Sequence, residues 1–297
     1  MIKILTVIFK KIDWFRRNLL TKIGFKRNYK INSIPIKIDY NHLLPDYEKK
    51  FPNYDRFLSH LVKYLKVDSI VVDVGANIGD TLIKMASSNE HLQYVCIEPD
   101  DNYYSDLVSN CEIIKSKKPK LKVRTLKKYI GLDNDYVSLV NGTNGSKRSI
   151  PGLGSIRSDS LDNIFNELNI SQNKLSLIKC DVDGYDWDVI KSANSLLKNF
   201  PYIYFECFYE NMSQLNNFKA VISDLFEKKY NHFSFFDNYG NHMCCIDNLK
   251  NVYQLLDYIK KQNFSKTTRT INYYDILTYT KNHKEKTDQI ILDYNND

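Results

Sequence analysis

The residues best suited to chemistry are acids that follow apolar runs. Ile70-Val71-Val72-Asp73-Val74 is short, β-branched and almost wholly apolar, the pattern of a parallel strand covered on both faces. It stops at Gly75-Ala76-Asn77-Ile78-Gly79-Asp80, and Tyr94 to Ile97 then reads as a second strand tipped by Glu98 and Pro99. Strand, glycine turn, helix and an acid about twenty residues on make a nucleotide-type site. A dinucleotide site would read G-x-G-x-x-G and place a diphosphate on the helix start. This turn reads D-x-G-x-N-x-G instead, and a diphosphate beside Asp73 would be repelled. A cationic sulfonium nucleoside, S-adenosylmethionine, suits an acid there, with Glu98 accepting hydrogen bonds from the ribose hydroxyls. Asp73, Gly75, Ala76, Asn77, Gly79, Glu98 and Pro99 are therefore the expected cofactor-binding residues. The opposing reading is a tight turn beside a surface glutamate.

A second group of acids lies further on. Leu175 to Cys180 reads as a strand that ends at Asp181, with Asp183 and Gly184 in the following turn, and Pro201 to Phe205 as one that ends at Glu206. Acids at adjacent strand tips can converge on one spot. There they can share a divalent cation, or one can act as base toward a substrate hydroxyl. Methyl transfer also requires that oxygen in line with the sulfonium carbon. Asp181, Glu206 and His232 are the candidate catalytic residues, with Asp181 also beside the cofactor. The competing reading has Asp181 and Asp183 only binding helix N–H groups or Lys179, and an isolated histidine such as His232 or His242 serving a structural role.

These segments resemble the FkbM family of S-adenosylmethionine-dependent methyltransferases. Val72 to Asp80 and Ile97-Glu98-Pro99 are similar to its first two motifs, Ser158-Asp159-Ser160-Leu161-Asp162 to its S/T-L-D element, and Ile178 to Asp186 to its I-K-I-D-V-E-G-x-E signature. Ile203-Tyr204-Phe205-Glu206 resembles its glutamate-tipped strand, and matching blocks run from about Tyr54 to Phe236. Asp183 and Asp186 depart from the pattern by replacing glutamates. The resemblance implies an α/β fold, a doubly wound, mostly parallel seven-stranded sheet of the Rossmann-like class I methyltransferase type with an antiparallel edge. It further implies that the backbone around Tyr129 and Ile130 borders the adenine, and that the reaction is O-methylation, of a sugar hydroxyl in a bacterial surface glycan or a related natural product. The implied acceptor partner is a saccharide or lipid-linked saccharide.

The elements that must position these residues are legible in outline. Helices are expected over Tyr54–Lys66, Ile78–Ser87, Asp101–Lys115, Leu161–Leu168, Tyr185–Leu197, Gln214–Lys228 and Leu249–Lys261. Further strands are expected over Lys122–Ile130, His232–Phe236 and Tyr273–Thr280, and either an inserted hairpin or a loop excursion over Tyr136–Val140 and Ser149–Arg157 about Asn141-Gly142-Thr143-Asn144-Gly145. Ser160 is suited to cap a helix with Asp162 in its first turn. The tail from Lys281 reads as frayed.

With 297 residues, 43% of them hydrophobic, the chain can bury one large core. Its six cysteines show no zinc spacing and three sit in core strands, which points to free thiols and a reducing cytoplasm. The net charge of +7 is concentrated at the start of the chain. Residues 1–30 carry nine cations against Asp13, a net of +8, so the remainder carries −1. Ile2, Leu5, Phe9, Ile12, Phe15, Leu19 and Ile23 recur at helical steps there, so residues 1–46 read as a basic amphipathic helical extension before a catalytic domain over 47–297. Basic residues interrupt the segment too often for a membrane span. It suits either an anionic membrane face, peripheral to the inner membrane, or docking on its own domain or a partner subunit in a homo-oligomer. The near-neutral body disfavours a nucleic-acid methyltransferase. A noncatalytic scaffold that retains the fold is the other alternative.

Overall fold

The computed structural model describes residues 2–132, 136–141, 147–151, 154, 156–263 and 270–297. The chain opens with helix α1 (Ile2–Lys22), hairpin strands β1 (Lys26–Ile31) and β2 (Ile34–Asp39), and helices α2 (Leu44–Lys50) and α3 (Phe57–Lys63). A βαβαβ run follows as β3 (Ile70–Val74), α4 (Asp80–Ser88), β4 (Gln93–Ile97), α5 (Asp101–Lys117) and β5 (Lys122–Leu126). Next come four short strands, β6 (Tyr129–Ile130), β7 (Tyr136–Asn141), β8 (Lys147–Pro151) and β9 (Ile156–Asp159). The second half alternates α6 (Leu161–Glu167), β10 (Leu175–Cys180), α7 (Asp186–Lys191), β11 (Tyr202–Cys207), α8 (Met212–Glu227), β12 (His232–Asp237), β13 (His242–Ile246), α9 (Leu249–Asn263), β14 (Tyr274–Tyr279) and α10 (Lys284–Asn296).

The large sheet has the order β5-β4-β3-β10-β11-β14-β12-β13. Strands β5 through β11 in that order are parallel, and β14 lies antiparallel between β11 and β12. This is the expected doubly wound sheet with an antiparallel edge. It has eight strands where seven are expected, because the Asp237–Asn241 turn returns the chain as β13. Alternation along each strand divides the interior in two. Val72, Val74, Ile178, Cys180 and Phe205 pack under α6, α7, α8 and α9, while Val71, Leu177, Tyr204 and Leu277 pack under α3, α4, α5 and α10. Strand order reverses between β3 and β10, and in such sheets the crevice beyond the carboxyl ends at the reversal is where ligands bind.

Three expectations are corrected. Residues 26–39 are not helical: Ile31, Ile34, Ile36 and Ile38 of the hairpin are buried in the same core as α5, and Asn110 of α5 bonds Lys37 through both backbone groups. The expected frayed tail is α10, whose Ile290, Ile291 and Tyr294 form a buried stripe inside a Lys- and Asn-rich segment. The expected strand over Lys122–Ile130 is split in two at Lys127-Lys128, and β6 leaves the large sheet to pair with β9. Of the expected hairpin, β7 is the first arm, but the second, expected over Ser149–Arg157, is divided between β8 and β9, which both pair with β7; residues 142–146, 152, 153 and 155 lie outside the described residues. Ser160 caps α6 by accepting from the Asn163 N–H at 3.1 Å. Asp162 does more than face the helix dipole, since its carboxylate accepts from the N–H groups of Ser195 and Leu196 at 2.7 and 3.1 Å and fastens α6 to the segment after α7.

Candidate active site at the strand ends

The turn after β3 is fixed by its neighbours on both sides. The N–H groups of Gly75 and Ala76 both donate to the Ile97 carbonyl of β4 at 3.0 Å. On the other side, a Cβ on Gly75 would stand 1.9 Å from the Asp181 carbonyl oxygen, and φ is +76°. Only glycine lets the β3 and β10 ends approach this closely. Asn77 and Gly79 are also left-handed, and no side chain caps the start of α4 at Gly79. Its first N–H groups are therefore open to an acceptor other than the chain's own caps.

Glu98 stands at the tip of β4, 5% exposed. Its two carboxylate oxygens accept from the N–H groups of Asn77 and Asp100, each at 2.9 Å. Burial outweighs these bonds and pushes its pKa up to about 7. Asp100 in turn caps α5 by accepting from Asn102 and Tyr103.

Asp73 does not offer a free carboxylate to the crevice. It is fully buried, and the register of β3 with β10 sets it directly opposite Lys179. The Lys179 ammonium lies 2.9 Å from Asp73 Oδ1, donates to the Gly75 carbonyl at 3.1 Å and sits 3.7 Å from Asp181. Burial works against the Lys179 charge, but Asp73 and Asp181 overcome it and hold the ammonium protonated. The sequence offers Lys179 only as a possible partner for Asp181 and Asp183. Its direct opposition to Asp73 follows from strand register, which no local pattern encodes.

The acids beyond Asp73 converge. Asp181 follows β10 and is half-exposed, and Glu206 lies at the neighbouring end of β11. Glu206 pairs in register with Asp275 of β14. Asp275 is the member that sequence reading passes over. A strand antiparallel to the others brings its amino end to their carboxyl ends, so the expected antiparallel strand over Tyr273–Thr280 carried the signal. Burial first, then Asp181 and the other acids, raises Glu206 well above the ordinary carboxyl range, and burial and its acidic neighbours do the same to Asp275. No side-chain hydrogen bond to either carboxylate is found among the described residues. Asp186 is fully buried and accepts from the Glu206 N–H at 3.3 Å. Asp183 and Gly184 are both left-handed, and a Cβ on Gly184 would press on the Phe208 carbonyl at 3.0 Å.

Two further charged residues roof the cluster. Asp55, in the segment between α2 and α3, has its pKa raised to about 6 by burial against the pull of Lys84. Lys84 of α4 lies 2.8 Å from Glu48 and 3.6 Å from Asp55, with its ammonium over the Tyr54 ring. Tyr54 and Tyr273 stand in the field of Glu206 and Asp181, and Tyr273 packs edge-on to Phe208. Among the described residues no group of three or more His, Cys, Asp or Glu is arranged to hold a metal ion.

His232 is not part of this assembly. It begins β12, which runs parallel to β11, and pairs with Tyr279 at the opposite end of the sheet, stacked on that ring. A single sequence does not distinguish the two ends of a strand whose partners are unknown. Tyr129 and Ile130 are buried in β6 beyond the β5 end, 5% and 3% exposed. Pro99 follows Glu98 in the link to α5.

The family model described as the methyltransferase FkbM domain matches residues 73–265. The chain belongs to the FkbM methyltransferase family. It is accordingly an S-adenosylmethionine-dependent methyltransferase. Among curated proteins, none matches the chain in sequence. Solved structures with a similar course of chain include the methyltransferase FkbM of Methylobacillus flagellatus KT, 12% identical, covering 80% of this chain and 59% of that one with a TM-score of 0.38. TYW2 of M. jannaschii, in complex with AdoMet, is 10% identical over 85% of this chain and 84% of that one, with a TM-score of 0.43. Precorrin-6y C5,15-methyltransferase of Geobacter metallireducens GS-15 is 10% identical over 76% and 87%, with a TM-score of 0.39.

Proposed function

We propose that this FkbM-family enzyme is an O-methyltransferase of a sugar hydroxyl, in a bacterial surface glycan or a related natural product presented as a saccharide or lipid-linked saccharide. The carrying observation is the row of Asp181, Glu206 and Asp275 at neighbouring strand ends, with the half-buried Tyr54 and Tyr273 beside it. A sugar presents hydroxyl donors and an apolar ring face, and carboxylates with aromatic rings answer both.

The residues present fit S-adenosylmethionine. Glu98 accepts from the ribose hydroxyls, the uncapped start of α4 receives the methionine carboxylate, and the backbone around Tyr129 and Ile130 borders the adenine. Gly75, Ala76, Asn77, Gly79 and Pro99 shape the floor of this half. Asp73 acts through Lys179, which it holds against the Gly75 carbonyl, instead of meeting the sulfonium directly. When bound, the sulfonium supplies an activated methyl group whose carbon–sulfur bond breaks as the acceptor oxygen bonds to carbon. Glu206, with its raised pKa, takes the hydroxyl proton, and Asp181 orients the hydroxyl in line. Asp275, the register partner of Glu206, adds to the acidic field that favours this uptake.

Labelled methyl transfer from S-adenosylmethionine into fractionated envelope glycan, lipid and RNA tests the reading. Label in glycan or glycolipid that resists mild base, as an ether does, is the expected result. Label in RNA alone, or in no fraction, overturns it.

A further inference from the structure

From Lys11 to Lys22, helix α1 is mounted with a polar face inward. Arg17, Asn18 and Thr21 recur at helical spacing and meet the body: Arg17 pairs with Asp46 of α2, the Asn18 side chain accepts from that of Asn41 at 3.2 Å, and the Thr21 hydroxyl accepts from the Asn41 N–H at 3.1 Å. The apolar stripe from Ile12 to Ile23 is left in solvent. Ile12, Phe15, Leu19 and Ile23 are 59, 65, 49 and 58% exposed, as are, at more than half, Phe25 just past the helix and Trp14 on the face of Asn18 and Thr21. An amphipathic helix that served only its own domain would be turned the other way.

We infer that α1 is a docking surface for an anionic lipid bilayer. Charge selects this occupant over a second copy of the chain. Residues 1–30 carry +8, while the rest of the protein carries −1, so two such stripes brought together would repel and an acidic lipid surface would attract. No helix among the described residues is long and apolar enough to cross a membrane, which leaves the in-plane mode, with aromatic and aliphatic residues in the acyl boundary and Lys11, Arg16 and Lys22 at headgroup level. The surface is coupled to the roof of the site. Arg17 grips α2 at Asp46, and Glu48 of the same helix holds Lys84 beside Asp55 and Tyr54. An enzyme held this way keeps its acceptor crevice at a fixed attitude to the bilayer. The docking itself does not depend on which acceptor is methylated.

Cosedimentation of the full chain with phosphatidylglycerol–phosphatidylcholine vesicles, against phosphatidylcholine alone, tests the inference. Deleting residues 1–30 would also remove most of β1, the partner of β2, so the variant is F15E/L19E/I23E, whose positions are already in solvent. Binding to the anionic vesicles only, weakened by salt and lowered about tenfold or more in the variant at unchanged Tm, is expected from the loss of three apolar anchors. Failure of the unaltered chain to sediment with anionic vesicles overturns it. So does a concentration-dependent dimer that the variant abolishes, which would assign the stripe to a second copy.

Discussion

The two halves of the crevice treat buried charge in opposite ways. At the β3 and β4 ends three acids have partners: Asp73 faces Lys179, Glu98 takes two backbone N–H groups, and Asp100 caps α5. At the β10, β11 and β14 ends, Glu206 and Asp275 lie directly opposite each other as like charges, with Asp181 and Asp55 adding to the same field. Like charges opposed across a sheet are destabilising, and a fold retains them where they serve a purpose. A satisfied network gives a rigid frame for holding a nucleoside. A crowded one raises Glu206 and Asp275 through their acidic neighbours as well as through burial, which favours taking up a proton.

The largest effect is expected at Lys179, which stands between the halves. K179M leaves Asp73 buried without its cation, and breaking a buried pair in this way costs about 3–5 kcal/mol. Replacing both partners, as in K179M/D73L, should recover most of the loss, because the uncompensated charge is gone. Denaturant midpoints for the single and double variants check this. A single variant as stable as the original chain would show that Asp73 is not held by Lys179.

Next come the acceptor-side acids. E206Q and D181N should each lower kcat by about 10²–10⁴, the usual contribution of a positioned base, with S-adenosylmethionine affinity nearly unchanged by calorimetry. Because Glu206 is raised above the ordinary carboxyl range, the rate of the unaltered enzyme should climb with pH through that raised value and then level. A D181N protein that loses donor binding would move Asp181 to the other half of the crevice.

Glu98 sharpens the same contrast by pH. Its folded pKa of about 7 exceeds the ordinary 4.5, so over that interval the folded protein holds a proton that the unfolded chain has released. The ligand-free protein therefore loses stability from this group as pH rises from 4.5 toward 7, with no further change above. Donor binding runs the other way, since the ribose hydroxyls favour the ionised acceptor. One unit below pKa 7 only about a tenth of Glu98 is ionised, so affinity at pH 6 should be about tenfold weaker than at pH 8. E98Q should bind more weakly at pH 8 and lose this dependence.

What could be read from the chain alone divides along physical lines. The β3 and β10 strands stand within a residue of their expected ends, because an apolar run, a glycine and an acid are local signals. The family was legible only as a resemblance of motifs, while the doubly wound sheet followed from the alternation of strands and helices. Pairings between distant strands were not legible, so Lys179 appeared without its true partner and Asp275 did not appear at all. The β1–β2 hairpin and α10 were hidden for a different reason. In α10 a few buried residues such as Ile290 and Tyr294 are scattered among Lys, Asn and Asp, while the hairpin does carry a period-2 signal at Ile34, Ile36 and Ile38 that the basic helical pattern before it masked.

The smallest effect is expected at His232, and it tests whether the chemistry is confined to the strand ends at all. As a residue type, histidine is the natural suspect for a base near neutral pH. Its place in β12 removes it from the acids: Asp275 pairs with Phe236 at one end of that strand and Tyr279 with His232 at the other. Burial lowers its pKa, so it is neutral at pH 7 and stacks on Tyr279 as an aromatic ring. H232A should therefore change kcat/KM by less than about twofold, while losing a ring contact lowers stability by about 0.5–1.5 kcal/mol. A large fall in kcat at unchanged stability would instead mean that the acceptor crosses the sheet to its far end, and the division between a holding half and a reacting half of one crevice would have to be abandoned.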